Sequence, residues 1–190
     1  MIRRGTLSRV LLGLLCCWPL LVLGVQIGKE SLPDQWPLDG NTLVLNGAGP
    51  REYGFLRIKV YVAALYLAKR DSSSEGVLDA KTAKVLHTRF LRDVELKDTL
   101  AAWDYYFEQN CKAGCTLPKA QIEAFKALVP VTVAGETQTY LFRADSVELL
   151  RNDKSLGKVE GAEFARLLLS TWIGEVPTTP ALRKALLGQK

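Results

Sequence analysis

Residues 43–69 constrain the fold most, because their pattern predicts two long paired strands. Residues 42–45 favour strands, whereas Gly47, Gly49 and Pro50 indicate that this first strand stops and the chain turns. Residues 55–69 then predict the second strand, because polar and apolar residues alternate there with the period of two that a strand requires.

The second predicted strand indicates a large sheet, because its length of about 15 residues is well above the usual 5 to 6. Beyond Val62 both of its faces are apolar, so this end should be covered on both sides. At its start, one face is expected in the core and consists of Leu56, Ile58, Val60 and Val62. The other face is polar and consists of Arg57, Lys59 and Tyr61.

Strand and helix patterns alternate along the rest of the chain. Residues 25–41 are predicted as an irregular lead-in anchored by Trp36, and residues 71–76 as a polar loop. The order predicts an α+β fold with a large, mostly antiparallel sheet and helices layered on one face. The predicted strands are 82–91, 137–143, 147–151 and 157–159; the predicted helices are 93–110, one capped by Thr116 and limited by Pro130, one after Gly161, and 180–187.

Residues 1–24 have the composition of a signal peptide that is removed on export. Arg3, Arg4 and Arg9 give a positive start, and an apolar stretch and small residues follow. A retained membrane anchor is the alternative, but Pro19 and the short apolar run fit it poorly, since a span needs about 20 apolar residues. We therefore expect one domain, residues 25–190, in the periplasm or secreted, with no membrane span after cleavage.

The charge balance of that domain argues against nucleic acid as a partner. Loss of the three leader arginines lowers the net charge from +5 to +2. The remaining chain also lacks the runs of Lys and Arg, interleaved with aromatic residues, that binding to a phosphate backbone requires. No feature of the sequence identifies a protein partner.

Cys111 and Cys115 are the cysteines that remain after residue 24. In an oxidising compartment, a disulfide across this short loop is the expectation, and free or buried thiols are the alternative. No metal or other cofactor is predicted, because two thiols and the single histidine, His87, do not supply the four ligands of a structural zinc site. His87 also lacks the nucleophile turn that a hydrolytic triad would need.

Two separated motifs carry a family resemblance. The first is GAGPR at residues 47–51, followed by a strand with Lys59, Tyr61, Leu65, Tyr66 and Leu67. The second is residues 161–188, with W-I-G-x-x-P and a closing L-L-G. Together they resemble the chalcone isomerase superfamily, in its bacterial chalcone isomerase-like branch. The resemblance implies an open-faced β-sandwich in which helices cover one face of the sheet and leave a cleft.

The resemblance also implies a role for Arg51. In catalytic members, an arginine after the Gly-rich turn stabilises the oxygen that becomes negative as a phenolate adds across an enone. In fatty-acid-binding members, it holds the carboxylate together with a tyrosine. A guanidinium suits both tasks, because it is always charged and presents several donors in one plane. Tyr61 stands where catalytic members carry a threonine. The other catalytic positions have no assignable counterpart in this sequence, where Tyr105, Tyr106, Asn110 and Thr171 are candidates by residue type alone.

Arg51, Lys59 and Tyr61 are the predicted ligand-binding residues. If the hairpin stays in register, they share a face with apolar neighbours, which suits a small amphipathic acid or lipid. The alternative is that this polar face is simply the solvated side of the sheet.

Three functions follow from these observations. The first is an exported, non-catalytic domain that binds a small amphipathic acid such as a fatty acid. The second is an intramolecular lyase or isomerase of the chalcone type, with Arg51 as its catalytic residue. The third is a structural or interaction module of the cell envelope without a ligand. Open space beside Arg51 would favour the first two, and a filled site the third.

Overall fold

The structure, a computed structural model, describes residues 24–79, 81–111 and 115–189, so all of the predicted signal peptide except Gly24 lies outside it. The strands are β1 (Gly24–Ile27), β2 (Glu30–Pro33), β3 (Gln35–Leu38), β4 (Asn41–Tyr53), β5 (Ile58–Leu67), β6 (Lys84–Phe90), β7 (Thr137–Phe142), β8 (Ser146–Arg151) and β9 (Lys154–Glu160). The helices are α1 (Ser74–Asp79), α2 (Leu96–Asn110), α3 (Lys119–Leu128), α4 (Ala162–Ile173) and α5 (Pro180–Leu186).

Strands β3 to β9 form a seven-stranded sheet in which neighbours in space are also neighbours in sequence. All of its pairings are antiparallel, and β1 and β2 form a separate antiparallel hairpin. The prediction of an α+β fold with a mostly antiparallel sheet is therefore confirmed.

Strand β5 lies between two apolar clusters, one on each face of the sheet. Its alternate residues Tyr61, Ala63, Leu65 and Leu67 belong to the cluster that also contains the buried side chains of the helices. Val62, Ala64 and Tyr66 belong to the cluster formed with β2, β3 and β4. The coverage of both faces beyond Val62 is as predicted, but the expectation that Tyr61 lies on a polar face is wrong.

Strand β4 continues through residues 47–50, where the sequence predicts a stop. The chain turns later, at residues 54–57, where the Arg57 amide donates to the Gly54 carbonyl at 3.1 Å. Gly47 is needed because α5 packs directly on β4: a Cβ at this position would overlap the backbone carbonyl of Ala185. Arg51 consequently lies inside a strand.

Three segments differ from their predictions. The lead-in forms β1 to β3, and its Pro37 is tolerated because β3 is an edge strand of the large sheet. Helix α1 begins at Ser74, inside the predicted polar loop. Helix α3 follows Pro118 and has no side-chain cap, so Thr116 does not cap it.

Within residues 24–79, 81–111 and 115–189, no helix is both long enough and apolar enough to cross a membrane.

Candidate functional site

A cavity of about 690 Å³ opens between one end of the sheet and helix α2. Helix α2 is held there by Trp103 and Phe107, which lie four residues apart and are buried on the same face. The ring of Trp103 lies 5.2 Å from the rings of both Phe125 and Trp172, so an aromatic cluster braces this wall. Apolar side chains including Val60, Phe90, Trp103 and Trp172 line the cavity.

Arg51 reaches this cavity from β4. It pairs directly with Tyr61 of β5, and side chains of directly paired residues project from the same face of a sheet. Its guanidinium carbon lies 5.8 Å from the centre of the Tyr61 ring and 5.9 Å from that of Tyr53. Arg51 Nε is buried without a hydrogen-bond partner, and none of the described carboxylates forms an ion pair with this side chain. A half-buried guanidinium thus faces the cavity with a buried Nε donor that no described residue uses.

Tyr61 places a phenol beside that cation. The side chain is 7% exposed, and its hydroxyl accepts a hydrogen bond from Trp172 Nε1 at 2.9 Å. Because Tyr61 is the acceptor in this bond, its own hydroxyl hydrogen can be donated to a ligand or to the neighbouring Thr178 side chain. Burial raises the pKa of Tyr61, against smaller lowerings by the positive charge of Arg51 and by the Trp172 and Thr178 side chains. The phenol therefore remains a neutral donor at physiological pH.

Thr178 brings a third polar group to the cavity, from the segment between α4 and α5. Its side-chain oxygen is buried, forms no hydrogen bond of regular geometry with the described residues, and lies near the Tyr61 hydroxyl, whose pKa it lowers. Two hydrogen bonds fix its backbone: the Thr178 amide donates to the Thr171 carbonyl at 2.8 Å, and the Thr178 carbonyl accepts from the Tyr106 hydroxyl at 3.2 Å. The sequence gives a weak signal for this residue, which follows the W-I-G-x-x-P motif directly.

The other buried polar groups of the cavity satisfy one another. Tyr140 donates to Gln138 Oε1 at 2.9 Å, and Gln138 Nε2 donates to Thr132 Oγ1 at 2.9 Å. Thr88 Oγ1 donates to the Gln138 carbonyl, also at 2.9 Å. Among the described residues, Arg51 Nε and Thr178 Oγ1 are the buried side-chain atoms that form no regular hydrogen bond, and both residues line this cavity.

This arrangement can bind an anionic group joined to an apolar body. A guanidinium and a phenol supply charge-assisted and neutral hydrogen bonds, and the aromatic wall offers apolar contact. It also holds a positive charge where a negative oxygen could develop in a reaction.

The profile of the chalcone isomerase-like family matches residues 24–188. The chain belongs to the chalcone isomerase-like family. The resemblance that the two sequence motifs indicate is thus confirmed, and both motifs lie within the matched residues.

A fatty-acid binding protein of Arabidopsis thaliana, known from its crystal structure, has a similar fold. The TM-score is 0.71, the sequences are 17% identical, and the match covers 87% of this chain and 96% of the plant protein. At that identity the likeness shows the fold, which is the open-faced β-sandwich expected from the sequence. A search of curated proteins found no match.

Lys59 of this chalcone isomerase-like chain does not join Arg51 and Tyr61. A β-bulge leaves Val60 without a partner, because Arg51 pairs with Tyr61 and Glu52 pairs with Lys59. Lys59 is exposed, does not line the cavity, and its carbonyl accepts from Arg92 Nε at 3.2 Å. The predicted common face of Arg51, Lys59 and Tyr61 is therefore wrong for Lys59.

The remaining candidate residues divide between the cavity and the core. Tyr105 and Tyr106 line the cavity. Asn110 instead fixes the chain after α4 by donating to the Val176 carbonyl at 2.8 Å, and Thr171 is fully buried in α4. His87 lies on the opposite face of the sheet, with its ring 4.9 Å from that of Trp36, so it cannot serve the cavity.

A second cleft, of about 630 Å³, lies beside α1 and α4. Arg166 and Cys115 are among its lining residues, and Cys115 is joined to Cys111 by a disulfide with a Cα separation of 5.2 Å. No buried side-chain polar atom without a partner lines this cleft among the described residues, so it offers less to a polar ligand. The described residues also contain no cluster of three or more His, Cys, Asp or Glu that could hold a metal ion.

Proposed function

We propose that this protein is an exported, non-catalytic carrier of a small amphipathic acid such as a fatty acid. The observation that carries the proposal is that two buried polar atoms that form no regular hydrogen bond with the described residues, Arg51 Nε and Thr178 Oγ1, line one largely apolar cavity.

A carboxylate suits the polar end of the cavity. A buried polar group without a partner costs about 1 to 3 kcal/mol, and a carboxylate could satisfy Arg51 and accept a further bond from the Tyr61 hydroxyl. The raised pKa of Tyr61 keeps this hydroxyl protonated, so it does not repel an anion. The acid would therefore bind with its head group between β4 and β5.

An acyl chain suits the rest of the cavity. Val60, Phe90 and the rings of Trp103 and Trp172 form a buried apolar part of the wall, where an acyl chain could be removed from water. The similar fold of a plant fatty-acid binding protein supports the same class of ligand. The signal-peptide pattern of residues 1–24 supports export to the periplasm or beyond.

Isomerase activity of the chalcone type is the second candidate, because Arg51 could also stabilise a negative oxygen that forms in a reaction. Tyr61 disfavours it by placing a ring where catalytic members carry a threonine. Chalcone turnover above the uncatalysed rate, lost in Arg51→Leu, would establish this activity. The third candidate, a module without a ligand, does not account for open space beside Arg51.

Lipid analysis and ligand binding with matched variants test the carrier proposal. Wild-type protein should yield bound acids in mass spectrometry, and the delipidated protein should bind dodecanoate. Arg51→Leu should weaken dodecanoate binding about 10- to 100-fold, because a hydrogen bond to a charged group contributes about 1.5 to 3 kcal/mol. Arg166→Leu, which removes an arginine from the second cleft, is the control and should bind like the wild type.

Two results would contradict the proposal. One is a wild-type protein that carries no acid and takes up no dodecanoate. The other is unchanged binding in Arg51→Leu together with loss in Arg166→Leu, which would assign the ligand to the second cleft. Unchanged near-ultraviolet circular dichroism would show that both variants keep the native packing.

A further inference from the structure

The turn between β4 and β5 exposes large apolar side chains to solvent. Tyr53, Phe55 and Leu56 are 66%, 93% and 68% exposed. Packing within the described residues gives no reason for an aromatic and a leucine side by side at this position, because Phe55 is almost wholly uncovered. A turn that only reverses the chain favours Gly, Asn, Asp and Ser instead.

A second apolar loop lies at the same end of the sheet. Val131 and Val133, in the segment before β7, are 55% and 46% exposed. The Phe90 amide donates to the Glu136 carbonyl, and the Leu91 amide donates to the Val60 carbonyl. The β4–β5 turn, the end of β6 and the start of β7 therefore lie at the same end of the sheet. Five of the eight large apolar side chains that are exposed in the described residues lie on these two loops.

Three cations lie next to the β4–β5 turn. Arg57, Lys59 and Arg92 are exposed, and Arg57 forms an ion pair with Glu52 at 2.5 Å. Within the described part of the chain, Lys59 and Arg92 form no ion pair. Of the nearby carboxylates, Glu95 pairs with Lys97 at 2.8 Å, whereas Asp93, which accepts from the Ala134 amide at 2.7 Å, and Asp98 form no ion pair with the described residues. Arg92 Nε donates to the Lys59 carbonyl at 3.2 Å, so these two cations lie together directly after the exposed apolar residues of the turn.

The apolar loops also border the cavity. Tyr53 and Arg92 line it together with Val94, which bridges to Thr132 of the second loop. An apolar surface with cations, beside the opening of a cavity for an amphipathic acid, has the properties of a membrane-docking site.

We propose that the β4–β5 turn docks this protein on a lipid bilayer that contains anionic lipids, with Phe55 and Leu56 inserted between the head groups. Lys59 and Arg92 contact the anionic head groups, and the cavity opens toward the bilayer. The acid ligand then exchanges with the membrane without crossing bulk water. The exchange rests on the function proposed above, whereas the docking does not.

Vesicle binding with matched double variants tests this proposal. The test pair is Phe55→Ser with Leu56→Ser, neither of which lines the cavity. The control pair is Val25→Ser with Leu156→Ser. It removes one exposed apolar side chain from β1 and one from β9, an edge strand of the large sheet. Binding is measured by co-sedimentation with phosphatidylcholine vesicles, with and without phosphatidylglycerol.

Wild-type protein and the control pair should bind vesicles with phosphatidylglycerol more tightly than vesicles without it. The test pair should bind them at least about tenfold more weakly, since it loses two large apolar side chains. All three proteins should bind dodecanoate equally in solution without vesicles, so that loss of docking is distinguished from loss of the ligand site. Because Phe55 and Leu56 are exposed, the test pair should keep the wild-type melting temperature.

Equal vesicle binding by the wild type and the test pair would overturn the proposal. Absence of vesicle binding by the wild type would also overturn it, even if dodecanoate binding is intact. Self-association of the wild type in light scattering that is lost in the test pair, without vesicle binding, would assign the turn to contact between two copies of this chain.

Discussion

The single histidine of the chain is held in its neutral form by the fold. His87 packs against Trp36, and its Nδ1 lies 2.9 Å from Thr139 Oγ1. Burial lowers the pKa of His87 from 6.5 to about 4, while the charge of Asp153 raises it and that of Arg89 lowers it. Between these two pH values, the unfolded chain binds a proton that the folded protein excludes.

His87 therefore makes the folded state depend on pH in one direction. Stability should be fully present above about pH 6.5 and should decline as the pH falls toward 4, by up to about 3 kcal/mol. His87→Gln, which stays neutral, should flatten this dependence in urea denaturation at a series of pH values. Parallel curves for the variant and the wild type between pH 6.5 and 4 would mean that His87 charges freely in the folded protein.

At the scale of elements, the packing of α5 on β4 depends on Gly47, which has no side chain. A Cβ at Gly47 would overlap the Ala185 carbonyl and lie 2.8 Å from that of Leu186, so Gly47→Ala must displace α5. We expect a loss of about 2 to 4 kcal/mol in the free energy of unfolding, as for other overpacked core positions. Guanidinium denaturation measures this loss.

Gly40→Asn is the control for that substitution. A Cβ at Gly40 meets nothing within 4 Å, and asparagine tolerates the left-handed backbone found there. This variant should change the free energy of unfolding by less than about 1 kcal/mol. A similar effect of both substitutions would remove close packing as the reason for Gly47.

The same contact explains why the sequence predicts some elements and not others. Helices α2 and α4 can be predicted from the sequence, because the spacing of apolar residues within each segment indicates which face is buried. The continuation of β4 through Gly47 cannot be predicted in this way, because the need for glycine there arises from contact with Ala185, which is far away in the chain. The bulge at Val60 likewise arises from pairing with β4, and no local pattern shows that it separates Lys59 from Tyr61.

For the molecule as a whole, the candidate site brings together distant segments of the chain, and only some of these contacts can be predicted from the sequence. Arg51 and Tyr61 could be predicted to meet because one hairpin holds them, and they are directly paired. Thr178 and Trp172 arrive from the C-terminal part of the chain through the tertiary fold. The sequence thus indicates the charged end of the cavity, whereas its depth and its aromatic wall require the packing of α2 and α4.

Such a cavity should make the stability of the whole domain depend on its ligand. An acid at 100 times its dissociation constant stabilises the folded state by about 2.7 kcal/mol, which corresponds to an increase in melting temperature of about 5 to 10 °C for a domain of this size. Dodecanoate added to delipidated wild-type protein should produce this increase, whereas dodecanol, which lacks the charge, should produce a much smaller one. In Arg51→Leu the difference between acid and alcohol should disappear, because the guanidinium that distinguishes them is absent. An equal increase with both compounds in the wild type would show that the cavity binds the chain alone and that Arg51 does not hold the head group.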